Sequence, residues 1–300
     1  MNNWIDAHHH LWDLDAVHYP WLMERGVRRF FGDPTPIQRN YLLEEFRAEA
    51  KAEGFTASVH IQVGAQDGMT EAQWVQSVAN ANPDWRMVQV VFCDLTASDL
   101  HEQLNAFQSL STVRGVRQIV GRAPGEDAQT GTNALLDDPR FLAGLKEVGR
   151  RGLSFDLQLI PELMEKTARV LAQAPNTKVA LCHAGSPHNR TPAGLNSWAA
   201  ELLHLAGLPQ VTCKLSGLGM FENYWTPDSL SPIVETCLDQ FGANRVMFGS
   251  NFPVDNLYSD YAKLLSAFRA LIPPESQNAV FGETASRFYG FGAQQVWSHQ

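Results

Sequence analysis

WIDAHHHLWDLD, Trp4–Asp15, says more about the fold than any other stretch of this chain. A β-strand puts residues i and i+2 on one face. That alternation sets His8 and His10 together, places Ile5 and Ala7 on the opposite side, and turns His9 away. Two imidazoles side by side at a strand end fill a core poorly but suit a metal ion or a reacting carbonyl. The residues that follow exclude an alternative. A doubly wound nucleotide-binding sheet needs a glycine-rich turn after its first strand, and HHHLWDLD contains no glycine.

Seven more strand-like runs follow the first, Trp4–His10: Thr56–Val63, Met87–Leu95, Val113–Val120, Leu153–Ile160, Lys178–Gly185, Gln210–Leu218 and Arg245–Pro253. Helix-like stretches lie between most of them. Leu257, Tyr261, Leu264, Leu265 and Phe268 repeat with an amphipathic helical period. Pro161 opens another helix over Glu162–Ala174, stopped by Pro175-Asn176. No long Gly/Ser/Pro linker breaks the series. Eight β/α units in one uninterrupted run predict an α/β fold, a single (β/α)₈ TIM-like barrel domain over residues 1–300.

A barrel of this kind places its chemistry at the C-terminal strand ends. Polar residues gather there: His8 and His10, His60 and Gln62, Asp94, Arg117, Asp156 and Gln158, His183, Lys214 and Ser216, and Asn251. One connection is long. Leu11–Asn40 carries Trp12, Tyr19, Trp21, Phe30 and Phe31, and reads either as a lid over the mouth or as a packed excursion. Trp12 on that loop, His60, and Asp255 just past strand eight are candidates for touching substrate.

Composition excludes several classes. A net charge of −9 argues against a nucleic-acid partner, which wants a basic face. No apolar window is long enough to span a membrane. The chain enters its first strand without a secretory pattern, so the expected location is the cytoplasm. Cys93, Cys182, Cys213 and Cys237 form no CxxC or zinc-ribbon spacing and read as buried free thiols. Neither a GxSxG elbow nor a phosphate-binding glycine loop is present.

DAHHH at Asp6–His10, LCHAGSP at Leu181–Pro187 and MFGSNFPVD at Met247–Asp255 resemble the amidohydrolase superfamily (amidohydrolase-related family 2). They look most like its lactonase branch, with the sugar-lactone and 2-pyrone-4,6-dicarboxylate lactonases. YPWL at Tyr19, RGVRQIV at Arg114, FDLQLIP at Phe155 and CKLSGL at Cys213 extend the similarity along essentially the whole chain.

The resemblance implies a hydrolase that opens a small polar lactone. It assigns His8, His10 and His183 to the reacting centre and Asn251 to the position of a family aspartate that serves as general base. An amide cannot take that proton near neutral pH. His183 is then the favoured base, with Asp255 and His60 as further candidates. Strands four and five offer Arg117, Gln118, Asp156 and Gln158 rather than a bridging lysine and a histidine, which disfavours two metal ions. Either one divalent ion, zinc by ligand type, sits on His8, His10 and His183, or the histidines polarise the carbonyl without metal.

Arg117 and Lys214 are the expected anchors for substrate oxygens, against internal ion pairs with Asp94 or Asp156. The expected partner is a small molecule. Two rival readings are a non-oxidative decarboxylase of an aromatic or unsaturated acid and a non-catalytic barrel that lost its base at Asn251.

Overall fold

Eight parallel strands follow one another in chain order around a barrel: β1 Trp4–His9, β2 Phe55–Ile61, β3 Arg86–Phe92, β4 Val113–Ile119, β5 Ser154–Gln158, β6 Lys178–Leu181, β7 Val211–Leu215 and β8 Val246–Phe248. The structure is a computed structural model that describes residues 3–122 and 134–292. All eight expected strands are present, each shorter than its expected run. The (β/α)₈ barrel is thereby established. The seam between β8 and β1 closes just past β8, where the Asn251 N–H donates to the His8 carbonyl at 2.7 Å and the His10 N–H to the Phe252 carbonyl at 2.8 Å.

The helices are α1 Pro20–Met23, α2 Leu43–Ala52, α3 Gly68–Ala81, α4 Leu100–Gln108, α5 Pro139–Arg150, α6 Met164–Leu171, α7 Pro192–Ala206, α8 Pro227–Phe241, α9 Tyr261–Leu271, α10 Pro274–Asn278 and α11 Thr284–Tyr289. The periodic stretch begun at Leu257 becomes helical only at Tyr261. Asp260 caps it there by accepting the Lys263 N–H, and Tyr261, Leu264, Leu265 and Phe268 are buried. The helix expected over Glu162–Ala174 is split into a 3₁₀ turn, Pro161–Leu163, and α6.

The apolar interior has two parts. The larger lies between strands and helices. The smaller fills the barrel itself with Ile5, Ala7, Ala57, Val59, Ile61, Val88, Val90, Ala180 and Met247, and Ala285, Phe288 and Tyr289 of α11 pack against it. The opposite end carries the polar side chains. Among the described residues, no helix is long and apolar enough to cross a membrane.

Candidate active site

β1 departs from strict alternation. Asp6 lies opposite Ser58 and His9 opposite His60, so three steps on β1 match two on β2. This bulge corrects the expected facing of the strand: Ile5 and Ala7 lie inside the barrel, and His8 and His10 still converge with His183. His9 points outward and stacks on Phe46 of α2, centroids 3.9 Å apart. From the shell side, Asp6 Oδ1 accepts the His8 and Ser250 N–H groups, both at 3.0 Å, and Tyr261 donates to Oδ2 at 3.0 Å. Asp6 therefore braces both banks of the seam. Burial raises its carboxyl to about 6.

The His8 ring lies 5.1 Å from His10 and 4.6 Å from His183, centroid to centroid. Neither nitrogen of His8 has a hydrogen-bond partner among the described residues. His183 follows β6 in a left-handed turn, with φ of 55° at His183, 50° at Ala184 and 56° at Ser186. Asn251 (φ 58°) is the other described non-glycine residue in that region. Such conformations cost on the order of 1–3 kcal/mol each, and here all four flank the histidines. Gly217, itself left-handed, leaves room for the His183 ring, which a side chain there would strike. The His183 Nδ1 is 3.0 Å from Ser216 Oγ.

Burial dominates the electrostatics. It holds His8 and His183 well below the usual histidine range, reinforced by the other cations and imidazoles nearby. Burial and then Arg117 lower His10 to about 3. The imidazoles are thus neutral near pH 7. Arg117 reaches from β4 and donates to the Gln62 carbonyl at 2.9 Å and to the Gln158 side chain. Its Nε has no partner among the described residues. Among the described residues, no carboxylate accepts its bonds.

These groups border a cavity of about 620 Å³ lined by His10, Gln62, Arg117, Gln118, Gln158, His183 and Asn251, with Phe92, Met220 and Val254. Pro20, Trp21, Arg29, Phe30 and Phe31 form its outer wall. The Leu11–Asn40 connection combines features of the two alternatives: its middle lines the cavity, and Trp12, Tyr19 and Leu22 are buried in the core. Sequence reading did not single out Arg29, Phe92 or Met220. Phe92 carried a usable signal, since it shares inward parity with Val88 and Val90 at a strand end.

Five candidates do not line the cavity: His8, which abuts the His10 and His183 rings, and four others. His60 alternates with Val59 and Ile61, which fill the barrel, so it faces outward; its Nδ1 accepts the Leu11 N–H at 3.1 Å and its Nε2 is 3.7 Å from Glu71. Trp12 is buried and donates to the Arg39 carbonyl at 2.7 Å. Lys214 is fully buried beneath the mouth, 2.5 Å from Asp156 Oδ2, so the internal ion pair holds for it. Tyr289 of α11 donates to the same carboxylate at 2.9–3.0 Å. Asp255 is buried behind Asn251, whose Nδ2 donates to its Oδ1 at 3.3 Å.

The sequence profile of the amidohydrolase family matches residues 5–291. The chain belongs to the amidohydrolase family. This amidohydrolase is 35% identical to an uncharacterized protein of Sinorhizobium fredii over 291 residues, covering 95% of this chain and 97% of that one. It is 28% identical to an L-fucono-1,5-lactonase of Burkholderia multivorans, with 95% of each chain covered. A crystal structure of a Burkholderia multivorans amidohydrolase with bound zinc superposes with a TM-score of 0.81 at 26% identity, covering 96% of this chain and 99% of that one. The fold, the family and a hydrolase identity agree.

The zinc in that relative makes metal fit a question for this amidohydrolase. Among its described residues, no group of three or more His, Cys, Asp or Glu side chains is arranged to hold an ion. The reason lies in the donors. The His10 Nδ1 is held by the Ile61 carbonyl, its Nε2 lies 3.2 Å from Asn251 Oδ1, and the His183 Nδ1 is engaged by Ser216. At strand eight the chain offers the amide of Asn251 rather than a carboxylate, and Arg117 already supplies positive charge. As placed, His8, His10 and His183 do not close into an ion site, although both His8 nitrogens are buried without a partner among the described residues.

Proposed function

We propose that this amidohydrolase opens a small, oxygen-rich lactone by water attack at the barrel mouth, without routing the reaction through a metal. The observation that carries this reading is the convergence of buried neutral imidazoles on a cavity that also holds Arg117. The lactonase named among its relatives supports the same class. Gln62, Gln158 and Asn251 add donors and acceptors suited to ring hydroxyls, and the aromatic wall suits the flatter face of the ring.

In this scheme Arg117 holds the lactone carbonyl oxygen and stabilises the negative charge that develops on it. His183, its Nδ1–H donating to Ser216 Oγ, offers the Nε2 lone pair to the attacking water. Water oxygen bonds to the carbonyl carbon while its proton passes to Nε2. The tetrahedral intermediate then breaks the ring C–O bond. The proton moves from His183 to the departing alkoxide, which becomes the hydroxyl of the open acid. A buried imidazole of low basicity gives that proton up readily, and so returns to its resting state. His8, pressed against His183 and His10, fixes their orientation.

The test is a panel of aldonolactones followed by acid release, on protein before and after chelation. Hydrolysis that survives chelation is expected, with less than about a twofold change. Absence of acid release from every lactone, or activity restored only by added zinc, overturns this scheme. Carbon dioxide from dihydroxybenzoates in its place would point to the decarboxylase reading.

A further inference from the structure

His10, Asn251 and Asp255 form a line from the cavity into the barrel wall. The His10 Nδ1 lies 2.7 Å from the Ile61 carbonyl oxygen. That oxygen only accepts, so Nδ1 carries the ring proton. A neutral imidazole has one N–H, and Nε2 therefore presents a lone pair to Asn251 Oδ1, 3.2 Å away. Two acceptors face each other in a buried place. A second proton on His10 would reconcile them, but burial and Arg117 hold that ring down to about 3. Turning the amide end for end also reconciles them and needs almost no space, because its oxygen and nitrogen are nearly equal in size. Asn251 Nδ2 then donates to His10 Nε2, and Oδ1 requires a donor from Asp255.

Asp255 can be that donor. It is 2% exposed, and the groups that bond to its carboxyl are the Asn251 amide and the Gly219 N–H; the Trp225 indole stands beside Gly219. No cation among the described residues pairs with it. The charged or titratable groups around His10 are His8 on β1, His60 on β2, Arg117 on β4 and His183 after β6, and each bears on His10 or its neighbours rather than on Asp255. Without a counter-charge, burial raises the Asp255 carboxyl to about 7.

We propose that Asp255 is a positioning residue whose proton decides which end of Asn251 faces His10 and the substrate. Protonated, Asp255 donates to Asn251 Oδ1 and the amide NH₂ faces the site, bonded to His10 Nε2 and able to hold a substrate oxygen. When the carboxyl loses that proton to solvent, the carboxylate draws the NH₂ back and leaves a carbonyl oxygen against the His10 lone pair. The site is then competent on the acid side of the transition and impaired above it.

The proposal rests on the lactone-hydrolase reading for its kinetic arm alone, so a second arm reads the proton directly. Infrared difference spectra between the wild type and Asp255→Asn are expected to show a protonated carboxyl band that titrates away near pH 7. With the best lactone, and with uncatalysed hydrolysis subtracted, wild-type kcat/KM is expected to fall about tenfold per pH unit above that point. Asp255→Asn, whose NH₂ donates to Asn251 but has no proton to lose, is expected to lack this limb and vary less than about twofold. Circular dichroism checks the variant's fold. Should it not fold, Asp255→Glu carries the test, its kinetic limb moving with its own carboxyl band. A wild-type enzyme with no such band on the acid side, or an Asp255→Asn profile that overlays the wild type, overturns the proposal. A titrating band with no lactone turnover supports it and removes the lactonase reading instead.

Discussion

Arg117 illustrates why one side chain cannot stand in for another in this cavity. Its fork spans the Gln62 carbonyl and the Gln158 side chain, while Nε is buried without a partner among the described residues. Lysine has the charge but neither the plane nor the reach. Arg117→Lys is expected to lower kcat/KM with a lactone about a hundredfold, of order 2–3 kcal/mol for lost charge-assisted bonds, with an unchanged circular dichroism spectrum. Asp6 gives a stability prediction with a definite sign. Its folded carboxyl, near 6, lies above the ordinary 3.8 of the unfolded chain. The folded state thus binds the proton more tightly. That contribution is complete below the unfolded value and is lost as pH rises through 6. The displacement of about two pH units corresponds to up to about 3 kcal/mol. Asp6→Asn keeps an acceptor for His8 and Ser250, and should abolish this part of the pH dependence in urea unfolding between pH 4 and 7. A wild-type curve that parallels the variant's would refute it. Residue identities at the mouth were legible because His8, His10, His183 and Asn251 sit in recognisable motifs. Their exact partners were not: His60 was assigned to the mouth from its place near a strand end, whereas the inward parity of Val59 and Ile61 turns it to the shell.

At the scale of elements, β5, β7 and α11 meet inside the barrel. Asp156, Lys214 and the Tyr289 hydroxyl bond there with almost no solvent. Removing one member of a buried ion pair strands the other, at a typical cost of about 3–5 kcal/mol. Lys214→Met and Asp156→Leu are each expected to lose that much in urea denaturation, and the double variant to lose clearly less than their sum. Strict additivity would show that the pair does not act as one unit. Sequence spacing revealed that Lys214 points inward, since it shares its face with Ser216. It could not show Tyr289, which arrives from a helix more than seventy residues later. Strand positions were legible from apolar runs bounded by turns. The bulge in β1 was not, because the same residues fit a regular strand, and only pairing with β2 exposes the extra one.

Across the whole molecule, scaffold and selectivity come from different parts of the chain. The ladder of eight strands supplies the floor, where histidines and Arg117 sit, while the connection after β1 supplies much of the outer wall. Trp21 donates to the Val63 carbonyl at 2.6 Å and lines the cavity. Trp21→Ala is expected to raise KM for lactones about tenfold while changing kcat little; an equal fall in kcat with unchanged KM would place Trp21 in the chemical step instead. The overall architecture followed from counting alternating units. The role of the long connection did not, because aromatic content alone fits both a wall and a core.

The slip in β1 also says what kind of genetic change this mouth tolerates least. Exchange of one residue for another leaves the spacing of DAHHH intact. Loss of a single codon within the histidine run would let the strand pair evenly with its neighbour, so that one of the two remaining rings swings into the helical layer. A variant of that sort keeps nearly the same composition and every other motif, yet brings one imidazole from this strand to the mouth where the intact strand brings two.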